Sequence, residues 1–364
     1  MGAITNLMTP YTSVRGFITL SMLLKREQIE QLASTRSTRE MWDILKDTLM
    51  GSYLSVDAPS DEQAFQTEMI SLLHTQFSSF SRVLGREKRK YLSLFLLEVE
   101  IDILKSVIHQ WVEGGQVGEE MSIPGSSLFT REVMNRATSA QHPTSFQEAL
   151  PLPGWTIEGL ARLLIESAGM PPPLRMTRVS WSLDSRYYQY LWKTARKFAS
   201  ERASLGKVLG VRIDLTNLER IIRGRVLGFS THEMKENLID ISYGVSREEL
   251  SQATEAETLE AVRSTLETSP YGDLVERGVS SFLEVGKLEA VSAVFKRFEV
   301  ENLKKLILMD PVPLTAVSNF SMAMLAALLR LGIIQMRVLE RIFRARISGL
   351  DEEQTLSLVT FFDL

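Results

Sequence analysis

Four histidines, His74, His109, His142 and His232, are the first places to look for metal or proton-transfer chemistry. No two of them share the short spacing by which zinc ligands meet on one helix or loop. His232-Glu233 opens a string like that of a zinc-protease helix, but Glu236 stands where the second histidine belongs. Gly206-Lys207 is followed by Val208 and has no glycine five residues before it, and Gly114-Gly115-Gln116-Val117-Gly118 follows a helical pattern instead of a strand. Neither spacing makes a phosphate-binding loop. No Gly-x-Ser-x-Gly elbow supplies a serine nucleophile. Paired acids in Glu98-Val99-Glu100-Ile101-Asp102 have the composition for acid–base work, which needs burial to separate their pKa values. The sequence favours a solvated helix face with one inward acid there. No catalytic residue, metal site or cofactor is expected, and the chain reads as a protein that is not an enzyme.

Arginines carry the remaining chemistry. Arg220, Arg223 and Arg225 recur as Arg341, Arg344 and Arg346. On a helical projection Arg220 and Arg223 point away from the apolar stripe, as a solvated face does, and the alternative makes these two and their repeat partners Arg341 and Arg344 the candidate partner contacts. Arg225 and Arg346 fall back onto the stripe, where their stems lie along apolar neighbours or meet a buried acid such as Asp214. Trp42, Trp111, Trp155, Trp181 and Trp192 are scattered without an interleaved basic strand, which suggests core packing over base stacking.

The elements that position these residues must come from 364 residues with 44% hydrophobic and 24% charged side chains, the composition of a globular protein with an apolar core. A net charge of −4 offers no global attraction to nucleic acid or anionic lipid. Without cysteine there are no disulfides, thiolate zinc sites, iron–sulfur clusters or thiol nucleophiles. The most apolar stretch, residues 320–334, is about 15 residues long and contains Arg330, shorter than the ~20 a spanning helix needs. It is expected as a buried helix. Residues 1–12 lack the pattern of a signal peptide, and Asn6 occupies the Ser/Thr position of a myristoylation motif, so a soluble cytoplasmic protein is expected.

Internal repetition organises the chain. Ile103-Leu104, Asn217-Leu218 and Val338-Leu339 begin three matching segments, the last two sharing Leu-Glu-Arg-Ile. Beyond each leucine, apolar residues recur at three, four and eight positions: Val107, Ile108, Val112; Ile221, Ile222, Val226; Ile342, Phe343, Ile347. That spacing is one helix face. Gly114, Gly228 and Gly349 then stand where a left-handed residue closes a helix. A second set of columns aligns Ile29, Met134 and Leu250, then Met41, Ile44 and Leu45 with Phe146, Ala149 and Leu150 and with Val262, Thr265 and Leu266. Both sets give a period somewhat over one hundred residues. Long segments rich in Leu, Glu, Lys, Arg, Ala and Met, with little period-two alternation, predict an all-α fold. Three helical repeats are expected, at 1–117, 118–233 and 234–364.

The repeat columns also resemble a known family. Ile213-Asp214-Leu215-Thr216-Asn217-Leu218 is similar to the acid, apolar, any residue, Asn-Leu pattern of the C subunits of A-type and bacterial V-type ATPases and the d subunits of vacuolar ones. Ser13-Val14-Arg15-Gly16 with Leu23-Leu24, Ser122-Ile123-Pro124-Gly125 and Thr268-Ser269-Pro270-Tyr271-Gly272 resemble its other marks. Departures are Gln335 and Val338 in the last copy and Ile103 in the first. The resemblance implies three pseudo-symmetric helical subdomains forming a funnel with a central cavity. It implies a non-catalytic central-rotor component, peripheral on the cytoplasmic face of the membrane, with D- and F-type shaft subunits and the proteolipid rotor ring as partners and no nucleic acid. The alternative is an unrelated helical-repeat scaffold for protein–protein interaction.

Overall fold

The computed structural model describes residues 19–82, 84–113, 128–308 and 321–359. Every regular element among them is helical, as the composition predicted. The chain divides into two compact units, Met1–Val99 with Lys296–Leu364, and Glu100–Phe295. Neither coincides with one copy of the repeat.

The repeat columns fix where helices begin and end. Two short helices open each copy: Arg26–Ala33 and Thr38–Lys46, Arg131–Thr138 and Pro143–Ala149, Arg247–Glu255 and Leu259–Leu266. Within each copy the second starts at the same column. Ser37 and Thr258 cap it through the Glu40 and Ala261 amides, and in the middle copy Pro143 occupies the first turn, where no amide hydrogen is required. Three of the four columns are buried in every copy, Ile29, Met134 and Leu250; Met41, Phe146 and Val262; Leu45, Leu150 and Leu266; in the fourth Ala149 is buried and Ile44 and Thr265 are half-buried. Each copy closes with a long helix, Arg86–Val112, Arg202–Val226 or Met322–Ile347, and all three end at one column.

Glycine explains two of those ends. Gly228 and Gly349 have φ of 77° and 67°. In each, the glycine amide donates to the carbonyl three residues back, and the next residue, Phe229 or Leu350, donates to the carbonyl of Gly224 or Ala345. This doubled bond uses carbonyls that a helix end otherwise leaves empty, and only glycine takes the required backbone angle at little cost. Gly114 lies outside the described residues.

In the unit that includes the chain ends, Met322–Ile347 packs on Glu62–Ser81, with Phe343 stacked on Phe65 at 4.2 Å and Trp42 set edgewise against Phe65. The expected short apolar stretch is in fact part of this 26-residue helix, long and apolar enough by length and composition to cross a membrane. Its most apolar window is 94% buried inside the protein, which makes it a core helix. The stripe fades at its end: Val107, Ile221 and Ile342 are fully covered, Val112 and Val226 half-buried, and Ile347 is 53% exposed. In the other unit, Arg202–Val226 packs along Pro172–Ala195, with Trp181, Phe229 and Met234 in one apolar cluster.

Candidate functional site

The polar residues of the repeat columns act where one copy meets the next. Four residues before each long helix's leucine stand Glu100, Asp214 and Gln335, all buried. Asp214 accepts hydrogen bonds from the Tyr243 and Gly244 amides at 3.2 and 2.6 Å and from the Tyr271 hydroxyl at 3.2 Å. These groups lead into and follow the two short helices of the last copy. Gln335 does the same for the first copy: its oxygen accepts from the Leu24 amide at 2.6 Å, and its Nε2 donates to the Met22 carbonyl and lies 3.2 Å from Met50 Sδ. Leu24 and Met50 occupy the columns of Val245 and Tyr271. Burial pushes the Asp214 carboxyl up against the opposing pull of its donors, and burial with the nearby Asp214 charge pushes the Tyr271 phenol up.

Seven residues past the leucines stand Trp111, Arg225 and Arg346. Each donates to a carbonyl at the end of the next copy's first short helix: Trp111 Nε1 to Ala140 at 2.6 Å, Arg225 Nη2 to Thr254 at 2.7 Å, and Arg346 Nη1 to Thr35. The last copy therefore donates to the first. Helix-terminal carbonyls lack intrahelical donors, so a neighbouring N–H there is a favourable bond. Of the two readings open for Arg225, the meeting with Asp214 is replaced by this bond to Thr254. Asn217 adds a two-bond clamp on the Ile239 backbone, at 3.0 and 2.8 Å. Val338 and Ile103 hold its column with buried apolar side chains, so this clamp belongs to the middle copy.

The four candidate contact arginines separate. Arg220 is 3% exposed, which corrects its outward placement. The projection assumed one covered face, whereas Pro172–Ala195 covers a second. Arg220 donates to Ser185 Oγ, the Asn237 carbonyl and the Trp181 carbonyl at 2.7, 2.5 and 2.8 Å, and its guanidinium lies 5.8 Å from the Trp181 ring. Burial pushes it down to about 10, still cationic at neutral pH. Arg223 is partly covered and bonds Glu219 and Ser292. Arg341 reaches the Leu358 carbonyl, and Arg344, 60% exposed, pairs with Glu62.

Among the paired carboxylates, Glu98 and Glu100 are both buried, so the expected single inward acid becomes two. Glu98 bonds Arg330 and, at 2.8 Å, Arg337, and Arg330 holds Glu299 at 2.7 Å. An arginine inside the most apolar stretch was the signal that an acid must lie opposite, since an unpaired buried charge costs several kcal/mol, on the order of 3–5. Sequence did not say which acid, and Glu299 was missed. Lys105 and Arg220 share Asp184, also missed, at 2.7 and 3.8 Å. His109 and His232 lie at the surface beside Glu113 and Glu236. No group of three potential metal ligands occurs among the described residues.

These features define a repeat-built helical protein whose buried polar groups join helices. The chain belongs to the ATP synthase (C/AC39) subunit family, whose model it matches over residues 12–357. It is similar to the C subunit of the A-type ATP synthase of Methanocaldococcus jannaschii, 21% identical over 358 residues, covering 97% of this chain and 86% of that relative. The corresponding C subunit of Methanothermobacter thermautotrophicus is 22% identical over 301 residues, covering 81% and 74%.

Proposed function

We propose that this chain is the central-rotor component of an A- or V-type ATP synthase or ATPase, a socket without catalysis of its own that passes torque between the central shaft and the membrane ring. Its three copies, 1–117, 118–233 and 234–364, close into a funnel whose cavity receives the foot of the D- and F-type shaft subunits. The narrow end rests on the proteolipid ring at the cytoplasmic face, as a peripheral component. Family membership supports the assembly. The observation that carries the closed form is the recurring joint, because Arg346 of the last copy reaches Thr35 of the first as Arg225 reaches Thr254. Close-packed helices joined by such bonds have the stiffness that torque transfer requires. Arg223, Arg341 and Arg344 remain the candidate contacts on its surface.

The test is to delete the chain and follow ATP-driven ion uptake in membrane vesicles. Uptake is lost while hydrolysis by the catalytic head persists, and the complex purified with the chain contains shaft and ring. Undiminished uptake, or a chain recovered only with outer-stalk subunits, refutes the reading.

A further inference from the structure

The unit Glu100–Phe295 carries a groove of about 590 Å³ where the end of the Pro172–Ala195 helix meets the start of Arg202–Val226. Its floor is made of small residues, Ala195, Ala199, Ala203 and Gly206, which leave room for a large side chain from elsewhere. Trp192 and Tyr243 form an aromatic wall, their rings edge to face at 6.4 Å, and the Tyr243 ring lies against Gly206 and Gly210. Tyr243 is nonetheless 44% exposed. Arg196, Arg202 and Lys207 rim the groove. Their side chains make no hydrogen bond or ion pair with any described residue. Residues 193–207 contain five lysines and arginines against the single acid Glu201, in a chain whose net charge is −4.

A second cleft nearby differs. It holds Arg162, Arg186 and Lys193, but Arg162 is already paired with Glu166 at 2.6 Å and Glu158 attracts Arg186. Of the two, the first groove has the floor of small residues, and among the described residues none of its three cations is hydrogen-bonded or ion-paired, whereas Arg162 of the second cleft already is.

We propose that this groove docks an acidic segment of another protein of the same complex, with one bulky apolar side chain seated on the alanine and glycine floor and its carboxylates on Arg196, Arg202 and Lys207. Arginine forks bind carboxylates with two parallel bonds, and tryptophan, tyrosine and arginine are the residues that dominate protein interfaces. A concave slot favours an inserted side chain over a flat lipid surface. The inference rests on the reading of the chain as a component of the rotary complex for the identity of the partner.

The chain has no cysteine, so Ala203→Cys supplies a single thiol for a benzophenone maleimide. The purified complex holding the labelled chain is irradiated, and the adduct is mapped by mass spectrometry. The expected adduct is a segment of one other protein of the complex, rich in Asp and Glu. Its yield drops about ten-fold in the Arg196→Glu, Arg202→Glu, Lys207→Glu background and is retained with Arg196→Lys and Arg202→Lys. An adduct to lipid, to a neutral or basic segment, or no adduct in complexes that contain the chain at wild-type amount overturns the groove alone. A labelled chain absent from the complex, when the unlabelled wild type is absent too, overturns the rotary reading as well.

Discussion

Asp214 and Gln335 hold the same column of the repeat in two units of the molecule and perform one task with opposite chemistry. Asp214 only accepts, and its described neighbours are all donors: two amides and the Tyr271 hydroxyl. Gln335 both accepts and donates, and where Tyr271 stands in one joint the other presents Met50 sulfur and the Met22 carbonyl. What persists between copies is the joint, a buried polar side chain gripping the backbone ahead of a short helix. The residue and its partners drift together, because a buried polar group without its complement costs about 1–3 kcal/mol.

The largest expected contrast uses the neighbouring column. Arg220→Ala strands the Trp181 and Asn237 carbonyls and leaves Asp184 short of a cation, and destabilises by about 3–5 kcal/mol in urea unfolding. Arg341→Ala removes a surface bond to Leu358 and changes stability by less than about 1 kcal/mol. Equal losses would mean that burial does not distinguish the two copies of this column.

The next test exchanges the joints' chemistry. Gln335→Glu places a second acceptor against the Met22 carbonyl and costs about 2 kcal/mol, while Gln335→Met costs about 1 kcal/mol. Asp214→Leu leaves two amides and a phenol unmatched and costs more than Gln335→Met. The reverse ranking would break the comparison.

Smaller effects are expected at the helix ends. Gly228→Ala and Gly349→Ala each cost about 1 kcal/mol through their positive φ, and Gly→Asn less, read from thermal unfolding.

The smallest effect is a difference in pH dependence. Hydrogen bonds from Ser230 and Ser246 in the capping boxes hold Glu233 and Glu249 below the ordinary 4.5. Their stabilisation is complete above 4.5 and is lost as pH falls through the lowered values. Asp214 is raised by burial above 3.8, so the folded chain takes up its proton first and this group favours folding increasingly as pH falls toward 3.8. Glu249→Gln therefore flattens the acid loss of stability, and Asp214→Asn steepens it, in denaturation curves taken between about pH 3.5 and 6.

Much of the fold was legible because helix periodicity, caps and glycine stops are local. The columns of Leu104, Leu218 and Leu339 located the ends of three helices, and Gly228 and Gly349 close two of them. The aligned short helices start where Ser37, His142 and Thr258 stand, and three of their four columns are buried in every copy. The joints were half legible. Asp214 and Asn217 were singled out by their family-like pattern, but the backbone groups they hold lie some twenty to thirty residues away, and no local rule names them.

Sequence by itself determined that the chain is helical, shows matching columns at three places and has no cysteine, since propensity, spacing and composition need no partner to be read. Only the tertiary structure decided which polar residues face inward. Arg220 and Arg341 are the same amino acid at the same column, yet the Pro172–Ala195 helix covers one while the other reaches the surface carbonyl of Leu358. A helix's own sequence defines its faces, but the elements packed against them decide which face meets water.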